Sequence, residues 1–258
     1  MSQSGPCPSQ TPAQLGAYTL DLAMLTEALL MDESAIMSRD HRGRTLLHLV
    51  CVARTYRTGH GWSAGSRRSP AQVRQIELAA MLLDRRRSLL TDADEAGYDP
   101  IYVALERGAV DLAVSLLDML DPAVLPQTFN GSWIHSLRPL LAMHGCTDQL
   151  QRFDQPPLEA PQSTTCVRAA IAGLGCRCAG TDPAPWLSAI RLLVETTPPI
   201  ENVCPIGEKA IPGTSTIRGI VEYTYGHLLS SSPAQAALNR DAFMEIMFIF
   251  RGANAASA

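Results

Sequence analysis

One short segment of the sequence could carry nucleophilic chemistry, because residues 61–65 read Gly-Trp-Ser-Ala-Gly and match the pattern G-x-S-x-G. In enzymes with this pattern, the serine lies on a strained turn between a buried strand and a helix, where it attacks a carbonyl carbon. Residues 54–60 are too polar for a buried strand, and residues 66–70 end in proline and do not predict a packed helix. Ser63 is therefore the one testable residue of an alternative interpretation, a serine hydrolase.

The cysteines and histidines do not have the spacing of a metal site. Three of the seven cysteines, Cys166, Cys176 and Cys178, lie close together, but no C-x-x-C pair is present and no histidine is near them. Structural zinc sites are usually built from such paired ligands. We therefore predict no metal ligands, and free thiols that are buried or half-buried.

Other catalytic motifs are also missing from the sequence. It contains no Walker lysine motif, no G-x-G-x-x-G after a strand and no H-E-x-x-H. His60, His135, His144 and His227 are scattered and share no helical face with a carboxylate pattern. We predict that the protein is not an enzyme and has no cofactor, with no catalytic residues.

Length and composition narrow the class of protein. The chain has 258 residues, 46% of them hydrophobic, and a net charge of −4, which does not favour nucleic acid as a partner. No apolar run reaches the ~18 residues of a membrane span, and the first residues do not resemble a secretory signal. We expect a disordered tail at 1–13, no membrane partner, and a location in the cytoplasm, of its own cell or of a host cell.

The charge is distributed in three segments. Residues 1–38 carry four acids and no base, residues 39–107 carry 12 arginines against eight acids, and residues 108–258 carry nine bases against 13 acids. Within the basic segment, no acid occurs between Arg54 and Arg74. An arginine-rich loop of this kind would steer an acidic partner or contact phosphate; the alternative is a loop that is only solvated.

Two segments share a repeated pattern of turn, helix, turn and helix, at 40–83 and 94–117. In the second, Asp94 and Gly97 predict a tight turn, and Asp99 followed by Pro100 predicts a helix start. Gly108 is typical of a helix end, and the apolar residues of 112–117 recur at helical spacing. Such a unit of about 33 residues is the building block of a solenoid.

The pattern resembles the ankyrin repeat, whose signature runs Asp-x-x-Gly-x-Thr-Pro-Leu-His-x-Ala and later Gly-x-x-Glu-x-Val-x-x-Leu-Leu. The resemblance implies that His48 hydrogen-bonds to backbone across the turn, with Tyr102 at the equivalent place in the next unit. The matching residues are Asp40, Gly43, Thr45, Leu47, His48, Glu77, Leu82 and Leu83 in the first segment, and Asp94, Gly97, Pro100, Ala104, Gly108, Leu116 and Leu117 in the second.

The spacing of the two segments predicts an insertion. Gly43 and Gly97 are 54 positions apart, about 21 more than one repeat requires, and most of the excess falls between His48 and Glu77. We therefore expect a long inserted loop near 55–72, rich in glycine, serine and arginine.

The rest of the chain shows weaker helical pairs. We expect a capping helix or half-repeat at 14–38, then an all-α ankyrin-repeat solenoid of about five repeats over 39–256. The later helices are predicted at Trp133–Met143, Thr147–Phe153, Thr165–Ala172, Pro185–Glu195 and Ile217–Leu229, with proline-marked linkers between the pairs. Met244–Asn254 is predicted to be the ending of a last second helix.

The resemblance implies a binding surface formed by the turns and by the exposed side of each first helix. It would make the chain a non-enzymatic scaffold for a protein partner, an adaptor or an effector, with oligomeric state open. The alternatives are the Ser63 hydrolase and an ankyrin module joined to a catalytic C-terminal half. The predicted partner-binding residues are His41, Arg42, Arg44, Val52, Ala53, Arg57, Arg67, Arg68, Glu95, Ala96, Tyr98, Glu106 and Arg107.

Overall fold

A computed structural model describes residues 10–53, 69–120, 131–153, 160–176, 182–196 and 217–256, and we confine the structural account to these ranges. Every regular element within them is helical, and they contain no β-strand. The expectation of an all-α fold is confirmed. None of the helices in these ranges is both long enough and apolar enough to cross a membrane.

The described helices belong to two compact units, the N-terminal unit within residues 10–120 and the C-terminal unit within 131–256. The N-terminal unit also contains two short 3₁₀ helices, Glu33–Met37 and Arg87–Leu90. The helices of the N-terminal unit are α1 (Pro12–Thr19), α2 (Leu22–Met31), α3 (Leu46–Val52), α4 (Pro70–Arg85), α5 (Pro100–Glu106) and α6 (Val110–Asp118). Those of the C-terminal unit are α7 (Gly131–Met143), α8 (Thr147–Arg152), α9 (Ala160–Gly175), α10 (Ala184–Glu195), α11 (Ile217–Ser231) and α12 (Pro233–Ala256).

Side-chain caps fix where several helices begin, and two of these starts differ from expectation. The Thr11 hydroxyl and the Gln14 side chain form a reciprocal capping box, so α1 begins at Pro12, inside the segment predicted as a tail. Ser69 and Gln72 form the same box at α4. Because of this box, residues 70–72 are helical, although the inserted loop was expected to include them. The rest of the expected loop, at 54–68, lies outside the described residues.

The N-terminal unit is built from three helix pairs, α1/α2, α3/α4 and α5/α6. The first members pack in a row, α1 on α3 and α3 on α5, and α4 packs on α6. Their contact faces bury leucines and small residues, among them Leu47, Leu78 and Leu105, each fully buried. Seventeen residues separate α3 from α4, whereas three separate α5 from α6.

The C-terminal unit has the same plan, with pairs α7/α8, α9/α10 and α11/α12. Here α9 lies between α7 and α11, and α10 lies between α8 and α12. Helix α9 approaches α7 closely at Gly173, where the missing side chain lets α9 lie against the backbone of Met143 at the end of α7. The indole of Trp186 from α10 enters the same junction and donates a hydrogen bond to the Met143 carbonyl at 2.8 Å.

Candidate partner-binding surface

The turn before α3 is organised by one carboxylate. Asp40 accepts hydrogen bonds from the backbone N–H groups of Arg42 and Arg44, both at 2.9 Å, and its carbonyl accepts from Gly43 at 3.0 Å. The Arg44 guanidinium donates a hydrogen bond to the other carboxylate oxygen of Asp40 at 2.6 Å. Burial acts to raise the pKa of Asp40, but the hydrogen bonds from Arg44 and Arg42 outweigh it and hold this pKa below its ordinary value. The turn is therefore stabilised by an ionised aspartate.

The turn before α5 repeats this arrangement. Asp94 accepts hydrogen bonds from the N–H groups of Ala96 and Tyr98, both at 2.9 Å, and its carbonyl accepts from Gly97 at 3.0 Å. The N–H of Glu95 donates to the Arg42 carbonyl at 3.1 Å. This main-chain hydrogen bond holds the tips of the two turns side by side.

The buried side chain of His48 connects the two turns. Its Nε2 lies 2.9 Å from the Tyr98 carbonyl, while Nδ1 accepts from the Thr45 N–H at 3.2 Å and lies 2.9 Å from the Thr45 hydroxyl. Because Nδ1 accepts from a backbone donor, the proton is on Nε2. The side chain is fully buried, and burial, as the largest cause, lowers its pKa. The expected hydrogen bond from His48 to backbone across the turn is confirmed.

Seven of the predicted residues are exposed in this unit. One of them, Tyr98, is 43% exposed, and its ring stacks parallel to the ring of Tyr102 with the two centroids 4.3 Å apart. Val52 is half-buried. The seven exposed residues are His41, Arg42, Glu95, Ala96, Tyr98, Glu106 and Arg107.

Tyr102 is a surface residue that the sequence prediction missed. It was considered only as the counterpart of His48, but it does not bridge the turns as His48 does; its ring stacks on Tyr98. The signal was available, since two tyrosines four positions apart across a helix start can lie on one side. The exposed ring of Tyr98 and the half-buried ring of Tyr102 together add a flat aromatic patch to the predicted surface.

Two predicted contact residues do not present their side chains for binding. Ala53 is only 5% exposed; it lies at the end of α3, where its N–H donates to the Leu49 carbonyl at 3.0 Å. The Arg44 side chain is 15% exposed and is held by Asp40, so it stabilises the turn. Arg57, Arg67 and Arg68, and Ser63 of the alternative interpretation, lie outside the described residues.

The described part of the surface carries charges of both signs. Arg42 makes no ion pair with any described residue, and Glu95 is the exposed acid in the adjacent turn. Glu106 and Arg107 form an ion pair at 3.7 Å, and both are more than half exposed. Such a pair contributes little to stability, so both groups are available to a partner at small cost.

The first turn should tolerate a side chain at its glycine less well than the second. Gly43 and Gly97 both have positive φ, at 70° and 83°. A Cβ at Gly43 would lie 2.7 Å from Cγ of Glu95, whereas a Cβ at Gly97 would have no neighbour within 4 Å. We expect Gly97→Ala to cost about 1 kcal/mol from backbone strain alone, and Gly43→Ala about 1–2 kcal/mol more. Urea unfolding of both variants measures the difference, and equal losses would contradict the crowding.

The described thiols do not form a reactive or metal-binding group. Cys51, Cys146, Cys166 and Cys176 form no disulfide; the first three are buried and Cys176 is exposed. Burial raises the pKa of the Cys166 thiol to about 12. Within the described ranges, no three cysteine, histidine, aspartate or glutamate side chains are grouped as they would be around a metal ion; Cys178 lies outside these ranges.

Comparison with known proteins gives no relative: no protein-family profile, curated protein or solved structure matches the chain.

Proposed function

We propose that the chain is a non-enzymatic scaffold of the ankyrin-repeat type that binds a protein partner through the turns and first helices of its N-terminal unit. The observation that carries the proposal is the hydrogen bond from the Glu95 N–H to the Arg42 carbonyl. It links two turns that are each built around an aspartate and a positive-φ glycine, as the ankyrin signature requires. Their exposed side chains therefore form one surface.

The chemistry of this surface supports binding to a protein. Tyr98 offers an aromatic face that is already held against Tyr102, so little side-chain entropy is lost when a partner covers it. Arg42 projects from the neighbouring turn tip without an ion-pair partner among the described residues. Tyrosine and arginine are the residue types most enriched among strongly contributing interface residues.

The proposal extends to the location and to the partner. An acidic segment of a partner would fit Arg42 and the arginines of the sequence at 54–68. We place the scaffold in the cytosol, of its own cell or of a host cell, as an adaptor or effector. The wider proposal is that both units belong to one ankyrin array.

A double variant tests the surface without disturbing the turns. Arg42→Ala together with Tyr98→Ala removes two exposed side chains, while Asp40 and Asp94 still bind backbone N–H groups. Arg85→Ala, an exposed arginine at the end of α4, is the matched control. We expect proteins captured by the wild-type chain and by the control to bind the double variant at least about 30-fold more weakly.

Quantitative affinity capture followed by mass spectrometry provides the measurement. If wild type, control and double variant retain the same proteins in the same amounts, the assigned surface is wrong. A circular dichroism spectrum of each variant establishes that the helices are intact before capture.

A further inference from the structure

The second helix of the N-terminal unit, α2, exposes apolar side chains on its outer side. Its inner side, with Leu25 and Leu29 buried, packs on α1. On the outer side, Leu30 is 74% exposed and Met31 is 84% exposed. Adjacent apolar side chains that are exposed to this extent are typical of a surface that another molecule covers.

A single carboxylate, that of Glu27, lies at the centre of this outer side. Residues three and four positions apart on a helix are neighbours on its surface. For Glu27 these neighbours are Ala23, Met24, Leu30 and Met31, and all four are apolar and exposed. Glu27 is itself exposed and forms no ion pair with any described residue. We call these five residues the α2 face.

Two more carboxylates lie at the ends of α2. Asp21 accepts a hydrogen bond from the Met24 N–H at 3.0 Å, and Asp32 accepts one from the Ser34 N–H at 2.9 Å. Both aspartates are exposed, and residues 1–38 contain no base. The three carboxylates are spaced about 7–9 Å apart along the helix, too far for one metal ion to bridge them. The α2 face is therefore apolar with negative charge at its centre and at both ends.

We propose that the α2 face binds a basic amphipathic helix of a protein partner. The apolar stripe of that helix covers Leu30 and Met31, and a lysine or arginine within the stripe pairs with Glu27. An entirely apolar partner would leave the covered Glu27 carboxylate without a counter-charge, which is costly. A helix is the element that fits, because its own side chains repeat at intervals of three and four residues, as those of the α2 face do.

Charge argues against a second copy of the chain as the occupant. Two α2 faces packed together would bring the two Glu27 carboxylates into one apolar contact with no base from 1–38 between them. The contact is also small, since a helix of 10 residues is about 15 Å long. An interface of this size is weak and transient, so we expect a dissociation constant of about 10–100 µM.

A designed peptide provides the probe for a titration with the full-length chain, followed by fluorescence anisotropy. The peptide has about 14 residues, about 21 Å of helix, with a leucine stripe that contains one lysine and with lysines on both flanks. A second peptide carries glutamate in place of every lysine. At about 0.15 M salt, where attraction between distant charges is screened, we expect the glutamate peptide to bind at least about tenfold more weakly.

Variants of the exposed side chains separate binding at the α2 face from general attraction to an acidic protein. Glu27→Gln removes the central charge, and Leu30→Ser with Met31→Ser removes apolar surface without changing the charge. Each should weaken binding of the lysine peptide about tenfold. Glu195→Gln and Leu229→Ser make matched changes at exposed sites of the C-terminal unit and should bind as wild type.

Three results would overturn the proposal: equal binding of the two peptides, α2-face variants that bind as wild type, and controls weakened as much as those variants. A wild-type dimer in sedimentation velocity that Leu30→Ser with Met31→Ser abolishes would assign the face to a second copy instead. The Arg42→Ala, Tyr98→Ala variant keeps the α2 face and should bind the lysine peptide as wild type. Failure at this face is therefore distinguishable from failure of the proposed function.

Discussion

Replacing Gly173 with alanine should destabilise the C-terminal unit more than any other single methyl addition at its described glycines. A Cβ at this position would lie 2.7 Å from the carbonyl carbon of Met143 and from Nε1 of Trp186, and closer still to the Met143 oxygen. Two of these three atoms belong to backbone, so helix α9 must move away from α7 to admit the methyl group. That movement also removes the hydrogen bond from Trp186 to Met143.

We expect Gly173→Ala to lower the free energy of unfolding by about 3 kcal/mol or more, the sum of overpacking and one lost hydrogen bond. Gly226→Ala is the matched control, since Gly226 lies in α11 with no neighbour within 4 Å of its Cβ position. The control should be neutral or stabilise the unit by up to about 1 kcal/mol, because alanine favours helix.

Hydrogen exchange monitored by mass spectrometry localises the Gly173→Ala effect. Peptides from α7 and α9 should lose protection in Gly173→Ala, while peptides from α3 and α5 should exchange as in wild type. Unchanged protection in α7 and α9, or an equal loss in the Gly226→Ala control, would contradict the close packing at Gly173.

The second large effect is expected at His48. Replacing it with leucine keeps a similar volume but leaves the Thr45 N–H and hydroxyl and the Tyr98 carbonyl without the ring nitrogens they face. Because His48 and Thr45 are buried, at 0% and 1% exposure, water does not replace the ring nitrogen at Thr45. We expect a loss of about 2–4 kcal/mol in the free energy of unfolding, measured by urea titration.

His48 should also make the stability of the N-terminal unit depend on pH. Burial lowers its pKa in the folded chain below the ordinary value of 6.5, so the unfolded chain binds more protons as the pH falls below 6.5. The contribution of His48 to the free energy of unfolding is therefore fully present above pH 6.5 and is lost as the pH falls from 6.5 towards the lower pKa of the folded state. Asp40, whose pKa is also lowered from 3.8, adds to the loss of stability only as the pH approaches that value, so the pH range just below 6.5 reports on His48 and not on Asp40.

Two variants assign the pH dependence. His48→Gln cannot titrate and should flatten the dependence of the unfolding free energy between pH 5 and 6.5. His41→Gln changes an exposed histidine of the same turn and should retain the wild-type slope. A slope that persists in His48→Gln, or that disappears in His41→Gln, would assign the pH dependence to another group.

The turns could be predicted from sequence because their determinants are local. Asp40, Gly43 and His48 lie within nine residues, and each acts on backbone a few positions away or in the next turn. The later helices were also predicted, with two differences: α9 begins at Ala160, five residues before the predicted Thr165, and α12 begins at Pro233, so Met244–Asn254, predicted as the ending of a second helix, is only its second half. Proline at a first helical position followed by alanines was a usable signal for that start.

What sequence reasoning missed depends on which side chains meet in the folded chain, near or far in sequence. Ala53 was predicted on the surface, but it is buried by its neighbours. Arg44 was predicted to contact a partner, but its guanidinium forms an ion pair with Asp40. The glycine at 173 carried no sign of its role, because the requirement for a missing side chain comes from Met143 and Trp186 on other helices.

The main-chain hydrogen bond between Glu95 and Arg42 has a consequence for how the surface can change. The two turns are held by two aspartates, two glycines and backbone groups, while the side chains of His41, Arg42, Glu95 and Ala96 take no part in the hydrogen bonds described here. These four positions can therefore be varied together at little cost in folding free energy. A library randomised at them would sample new binding specificities on an unchanged backbone, and natural drift could retarget the surface in the same way.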